Sequence, residues 1–98
     1  MKEQVINWVK EYLDREYGYS TIDDESDIGM GYTEFETVTG EMIPVQVTLN
    51  LEEKSITKEI DWKIKDCIKC DSYEELLELL IILDNNYMLD INDYYVLI

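Results

Sequence analysis

A chain of 98 residues that is 46% hydrophobic forms one domain with a modest core, and it is too apolar for intrinsic disorder. Its 23 acidic and 8 basic residues give a net charge of −15, which disfavours direct nucleic-acid binding and suits a basic protein partner. No run approaches about 18 apolar residues, and Met1-Lys2-Glu3-Gln4 lacks the layout of a secretion signal. The expectation is a cytoplasmic chain with no membrane contact, because the cytoplasmic leaflet is itself negative.

Residues 3–17 read as a first helix. Val5, Ile6, Val9, Tyr12 and Leu13 follow the 3/4 spacing of a buried stripe, and Gly18 suits the stop. Residues 18–31 have no period and hold the acidic run Asp23-Asp24-Glu25-Ser26-Asp27, read as a loop. That run lacks the calcium-loop pattern, so the reading is a solvated or partner-facing patch.

From Tyr32 the period becomes two. Tyr32–Val38 is the first expected strand, with Thr33, Phe35 and Thr37 on one face and Glu34 and Glu36 on the other. A turn at Thr39-Gly40-Glu41 leads to a second strand, Met42–Leu51, with Ile43, Val45, Val47, Leu49 and Leu51 on its apolar face. Pro44 lacks a ladder donor, so its amide side should face outward or sit at a bulge. Glu52-Glu53 turns again into a third strand, Lys54–Trp62, with Ile56, Ile60 and Trp62 inward around Lys58. A turn within 61–65 and a short fourth strand at Asp66–Cys70 complete the meander.

The stretch Asp71–Leu83 organises the rest. Ser72 and Glu75 form a capping box, and seven of the eight residues 76–83 are Leu or Ile. A helix apolar on so many sides needs covering on more than one of them. The first helix, the Tyr-rich tail or a second copy would supply that cover, so a homodimer is an open possibility. In the tail, Asp90–Tyr94 reads as one helical turn and Tyr95–Ile98 as a last strand or packing segment. The fold class expected is α+β: an antiparallel three- to four-stranded β meander with an N-terminal helix and a C-terminal capped helix packed on one face, in one domain over 1–98.

Chemistry has few footholds. The chain has no His, the usual proton shuttle at neutral pH. No carboxylate pair is singled out by an apolar pocket, and no nucleophile elbow is present. Cys67-Ile68-Lys69-Cys70 is half a zinc site with no second half, and nothing upstream resembles the βαβ setting of a redox motif. The reading is therefore non-enzymatic, with no metal or cofactor.

The charge is uneven. Residues 1–31 and 32–53 each carry −5, residues 71–98 carry −7, and residues 54–70 carry +2 through Lys54, Lys58, Lys63, Lys65 and Lys69. An acidic surface with one basic seam follows. On a strand, carboxylates at i and i+2 stand about 6.5–7 Å apart. That is close to two phosphate steps of about 3.4 Å along one DNA strand. Glu34 and Glu36 have this arrangement. The candidate partner-binding residues are Asp23, Asp24, Glu25, Asp27, Glu34, Glu36, Glu52, Glu53, Asp84, Asp90 and Asp93. Asp71, Glu74 and Glu75 are set aside because they suit the positive end of a helix dipole.

One resemblance adds a context. The turn Gly40-Glu41, the strand Ile43-Pro44-Val45-Gln46-Val47, the strand end Ile60-Asp61, the helix start Ser72-Tyr73-Glu74-Glu75-Leu76 and the segment Asp90-Ile91-Asn92-Asp93 together are similar to large polyvalent protein-associated domains of phages and conjugative elements. The pattern covers residues 39–93. Small size, acidity and tyrosine content also resemble phage anti-restriction and anti-CRISPR proteins. What the resemblance implies is an inhibitor in a bacterial host cell that blocks the nucleic-acid-binding surface of a defence enzyme. It carries no catalytic residue. The alternatives are an immunity or antitoxin-like protein blocking a basic toxin, and a structural oligomeric domain.

Overall fold

The alternation of apolar residues along Met42–Asn50 makes this strand the spine of the sheet. A computed structural model describes residues 1–85, and the expected tail turn and last strand lie outside the described residues. The elements run α1 (Lys2–Tyr17), β1 (Ile28–Glu36), β2 (Met42–Asn50), β3 (Ser55–Ile60), β4 (Lys63–Lys69) and α2 (Tyr73–Asn85). The four strands form one antiparallel sheet in the order β1-β2-β3-β4. The architecture is thus the expected α+β meander with a helix at each end of the strand run.

Side chains directly opposite in a ladder share a face. Val47 lies opposite Lys58 and Leu49 opposite Ile56, and this face carries the helices. Its core joins Val5, Val9, Tyr12 and Leu13 of α1, Leu76, Leu80 and Leu83 of α2, and Ile28, Met30, Val47, Leu49, Leu51 and Ile56 from the sheet and its turns. Each buried aliphatic side chain contributes about 1.5–3 kcal/mol to the gross burial term. The opposite face carries Tyr32, Glu34, Glu36, Pro44, Gln46, Glu59 and Ile64 in register and has no helix on it among the described residues.

Both helices begin at the same end of the sheet. Lys2 reaches Glu25, whose carbonyl accepts the Leu51 amide in the β2–β3 turn. At α2, the Cys70 amide donates to the Lys54 carbonyl of the same turn. The helices also finish together, where the Arg15 guanidinium donates to Asp84 at 2.8 Å. We call the end with the β2–β3 turn proximal, and the end with the β1–β2 loop and β3–β4 turn distal.

Several boundaries differ from the sequence reading, each for a local reason. β1 starts at Ile28, four residues before the expected Tyr32, and stops at Glu36 instead of Val38. Its first half is concealed because the register shifts between Gly29 and Gly31, a bulge at Met30 that breaks the period of two. The fully buried Met30 has its carbonyl oxygen capped by the hydroxyls of Tyr12 at 2.8 Å and Tyr17 at 3.0 Å. Burial raises the Tyr12 phenol above its ordinary pKa, with the neighbouring Tyr17 and Glu16 pushing the same way.

Pro44 sits in a central strand, not on an edge. In an antiparallel ladder a residue's N–H and C=O point to the same neighbour. The Pro44 carbonyl accepts the Asp61 amide at 2.8 Å, beyond the last β2–β3 ladder pair, Val45 and Ile60. Its nitrogen therefore faces the β3–β4 turn, where no ladder acceptor awaits a donor.

β3 ends at Ile60, so Trp62 is not an inward strand residue as the alternation suggested. Ile60 pairs with Lys63, which leaves Asp61-Trp62 as a two-residue turn with φ of 54° and 64°. These positive values at both positions match a type I′ hairpin. β4 then spans Lys63–Lys69 and is longer than the expected Asp66–Cys70. It was hard to read because all seven of its residues are exposed and no buried alternation marks it.

At α2 the capping box forms. Ser72 Oγ accepts the Glu75 amide at 3.2 Å, and Glu75 reaches back to the Asp71 amide at 3.1 Å. The helix buries Leu76, Leu80 and Leu83 and packs against α1, which covers one side of it, while Ile81 and Ile82 stay exposed at 39% and 56% among the described residues.

Candidate partner-binding surface

The acidic residues divide between the two ends of the sheet. The loop between α1 and β1 brings Asp23, Asp24, Glu25 and Asp27 to the proximal end. The bond from the Leu51 amide to the Glu25 carbonyl at 2.7 Å holds that loop beside Glu52 and Glu53. Asp24 also shapes its own loop. Its carboxylate accepts both the amide of Ser26 at 2.9 Å and its hydroxyl at 2.7 Å, which holds its pKa below the ordinary value.

Glu34 and Glu36 stand on the helix-free face at the distal end, opposite Pro44 and Met42. The spacing between Asp27 and Glu36 is nine residues of strand, roughly 30 Å at about 3.3 Å per residue. One flat partner surface has to be long to touch both groups. The Tyr32 hydroxyl donates to Glu34 at 2.6 Å, an i, i+2 contact along the same face, and this raises the tyrosine's pKa.

Three of the proposed partner-binding residues already have cationic partners within the chain. Glu25 pairs with Lys2 at 2.7 Å, Glu53 with Lys69 at 3.0 Å and Asp84 with Arg15 at 2.8 Å. Asp84 raises the Arg15 pKa further as the nearest acceptor, with Glu16 second. Exposed pairs of this kind contribute about 0–1 kcal/mol, so they exchange readily for an intermolecular cation. Asp90 and Asp93 lie outside the described residues. Of the basic seam, Lys63, Lys65 and Lys69 lie on the edge strand β4, while Lys54 sits over the Tyr73 ring at 4.9 Å.

Sequence reasoning missed the apolar residues that accompany the distal acids. Val38, Met42, Trp62 and Ile64 are all exposed, at 106%, 54%, 64% and 70%. The signal is present in the sequence as apolar residues flanking a turn, but the expected turn at 61–65 overlaps a strand reading that takes Trp62 as inward.

The cysteines are both free, Cys67 exposed and Cys70 buried. Burial raises the Cys70 thiol pKa, with Glu75 and Asp71 adding to it, which disfavours the reactive thiolate. Among the described residues, no group of three or more Cys, Asp or Glu side chains is arranged to hold a metal ion. No helix among them is long and apolar enough to cross a membrane. Comparison with family models, with curated proteins and with solved structures finds no match.

Proposed function

We propose that this chain is a non-catalytic inhibitor of the kind carried by phages or mobile elements, which occupies a basic nucleic-acid-binding surface on a host defence nuclease. One observation carries the reading: β1 and β2, half of the sheet, contain no Lys or Arg, and their acids, Glu34 and Glu36, are exposed on the face without helices. Such a strand presents carboxylates at near-phosphate spacing to a cationic groove. The proximal acids extend the negative field to the other end of the molecule, favouring electrostatically steered association.

The test is inhibition of a panel of bacterial defence nucleases at two salt concentrations, with competing duplex DNA. The expected result is strong inhibition at low ionic strength that weakens towards physiological salt and is relieved by DNA. Inhibition that ignores both salt and DNA rules out occupation of a nucleic-acid site.

A further inference from the structure

The β3–β4 turn holds a large aromatic side chain in a backbone conformation that favours glycine. Type I′ turns need φ above zero at both central positions, and Asn-Gly or Asp-Gly is their preferred sequence. Here the pair is Asp61-Trp62, with Trp62 at φ 64°. A bulky residue in the left-handed region is a true outlier, and such outliers cluster at functional positions. Packing does not explain the choice, because Trp62 is 64% exposed.

Its neighbourhood is equally unlike an ordinary loop tip. Ile64 follows on β4 on the helix-free face, opposite Glu59. The Asp61 amide bonds to the Pro44 carbonyl, so the turn abuts β2 just below Met42. Met42 lies opposite Glu36, and the wholly exposed Val38 is in the adjoining β1–β2 loop. The distal end of the sheet thus carries exposed apolar side chains on β2, the β1–β2 loop and the β3–β4 hairpin together with the acids of β1. Exposed apolar patches rimmed by polar residues mark interaction sites, and tryptophan is enriched among the residues that dominate binding energy.

We infer that the distal end of the sheet is the docking surface, with the Trp62 indole as its anchor, and that its partner is a protein presenting an apolar recess bordered by lysine or arginine. This rests on the inhibitor reading above and names the surface and the partner's chemistry. Charge complementarity selects that occupant: Glu34, Glu36 and Glu59 stand at this end on the helix-free face, whereas Lys63 beside Trp62 shares the face of Ile60 and Val45. Trp62 fills the recess, and the glutamates pair with the cations around it.

The test uses the full chain carrying Trp8→Phe, so that tryptophan emission reports Trp62 alone. The probes are a synthetic amphipathic leucine–lysine helix, which offers both apolar surface and cations, and poly-L-lysine, which offers cations only. The expected result is a blue shift and reduced acrylamide quenching with the leucine–lysine helix but not with polylysine. Trp62→Gly creates the preferred Asp-Gly turn. It should raise the melting temperature by a few degrees while weakening binding of the leucine–lysine helix at least about tenfold, the scale of an aromatic anchor, with binding of both probes to this variant read by isothermal titration calorimetry because it retains no tryptophan. Trp62→Asn, also tolerant of positive φ, should do the same. Unchanged affinity in both variants, or a lower melting temperature in both, overturns the anchor. If polylysine still binds in that case, the electrostatic reading survives, and if neither probe binds at low salt, both readings fail together. Trp62 emission already blue-shifted in the free chain also overturns it. A concentration-dependent shift then identifies a second copy as the occupant, and a concentration-independent one identifies residues 86–98.

Discussion

The proximal end of the sheet lies under both helices, whereas the distal end buries Pro44 and Val45 but leaves its hairpin tips exposed. Proximally, Leu49, Leu51 and Ile56 are buried under two helices, and the loop, turn and helix starts are tied by backbone hydrogen bonds and ion pairs. Distally, two hairpin ends project apolar side chains into solvent, and one of them holds its backbone in the left-handed region. The molecule is correspondingly elongated, 46 × 28 × 24 Å. The difference teaches how a chain of this size and charge folds. Its core is concentrated where helix and sheet meet, which leaves the distal hairpin tips outside it.

The sharpest way to break this contrast is a pair of truncations. Leu80→Ala, at a fully buried position, should cost about 2–5 kcal/mol in chemical denaturation. Ile64→Ala at the distal end should stay within about 0.5 kcal/mol. Equal costs would mean that the exposed distal hairpin is packed after all. Next comes the capped Met30 carbonyl. Replacing both Tyr12 and Tyr17 by Phe removes both donors to it, an expected loss of about 1–3 kcal/mol, whereas Tyr12→Phe alone leaves the Tyr17 bond and should cost less. A single substitution as costly as the double would show that the two hydroxyls do not back one another up. Ser72→Ala removes the cap of α2 and should cost about 1 kcal/mol, with helicity lost first in the Tyr73 turn.

The smallest effect is a matter of pH. Hydrogen bonds from the Ser26 hydroxyl and amide hold the Asp24 pKa below its ordinary value. A carboxylate depressed by folding contributes stability that is complete above its unfolded pKa and is lost as pH falls through the folded one. The window for Asp24 therefore opens below about pH 3.8. An NMR titration should show its carboxyl returning towards the ordinary value in Ser26→Ala. No movement would mean that the Ser26 side chain is not the cause.

The sequence was legible where one principle acted alone. Alternation located β2, the 3/4 stripe of Val5, Val9, Tyr12 and Leu13 located α1, and the capping pair Ser72 and Glu75 located the start of α2. It was illegible where a second effect intervened. The bulge at Met30 cancelled the alternation that would have revealed the start of β1. β4 buries none of its residues, so its face leaves no pattern. Trp62 continued the parity of Ile56 and Ile60, and only the two-residue turn revealed that it points elsewhere. For the candidate surface, acidic positions could be counted but not grouped. The pairings of Glu25, Glu53 and Asp84 join residues 23, 16 and 69 positions apart, and nothing in the linear order signals them.

The lysines of β4 have a further consequence. An edge strand offers its backbone to any other edge, including that of an identical molecule. If two copies of β4 met antiparallel about Asp66, Lys63 of one would stand opposite Lys69 of the other, twice over. Like charges set directly across a ladder repel. Three of the eight basic residues in this acidic chain thus lie along β4, one of the two edges of the sheet among the described residues, and keep that edge closed to its own kind.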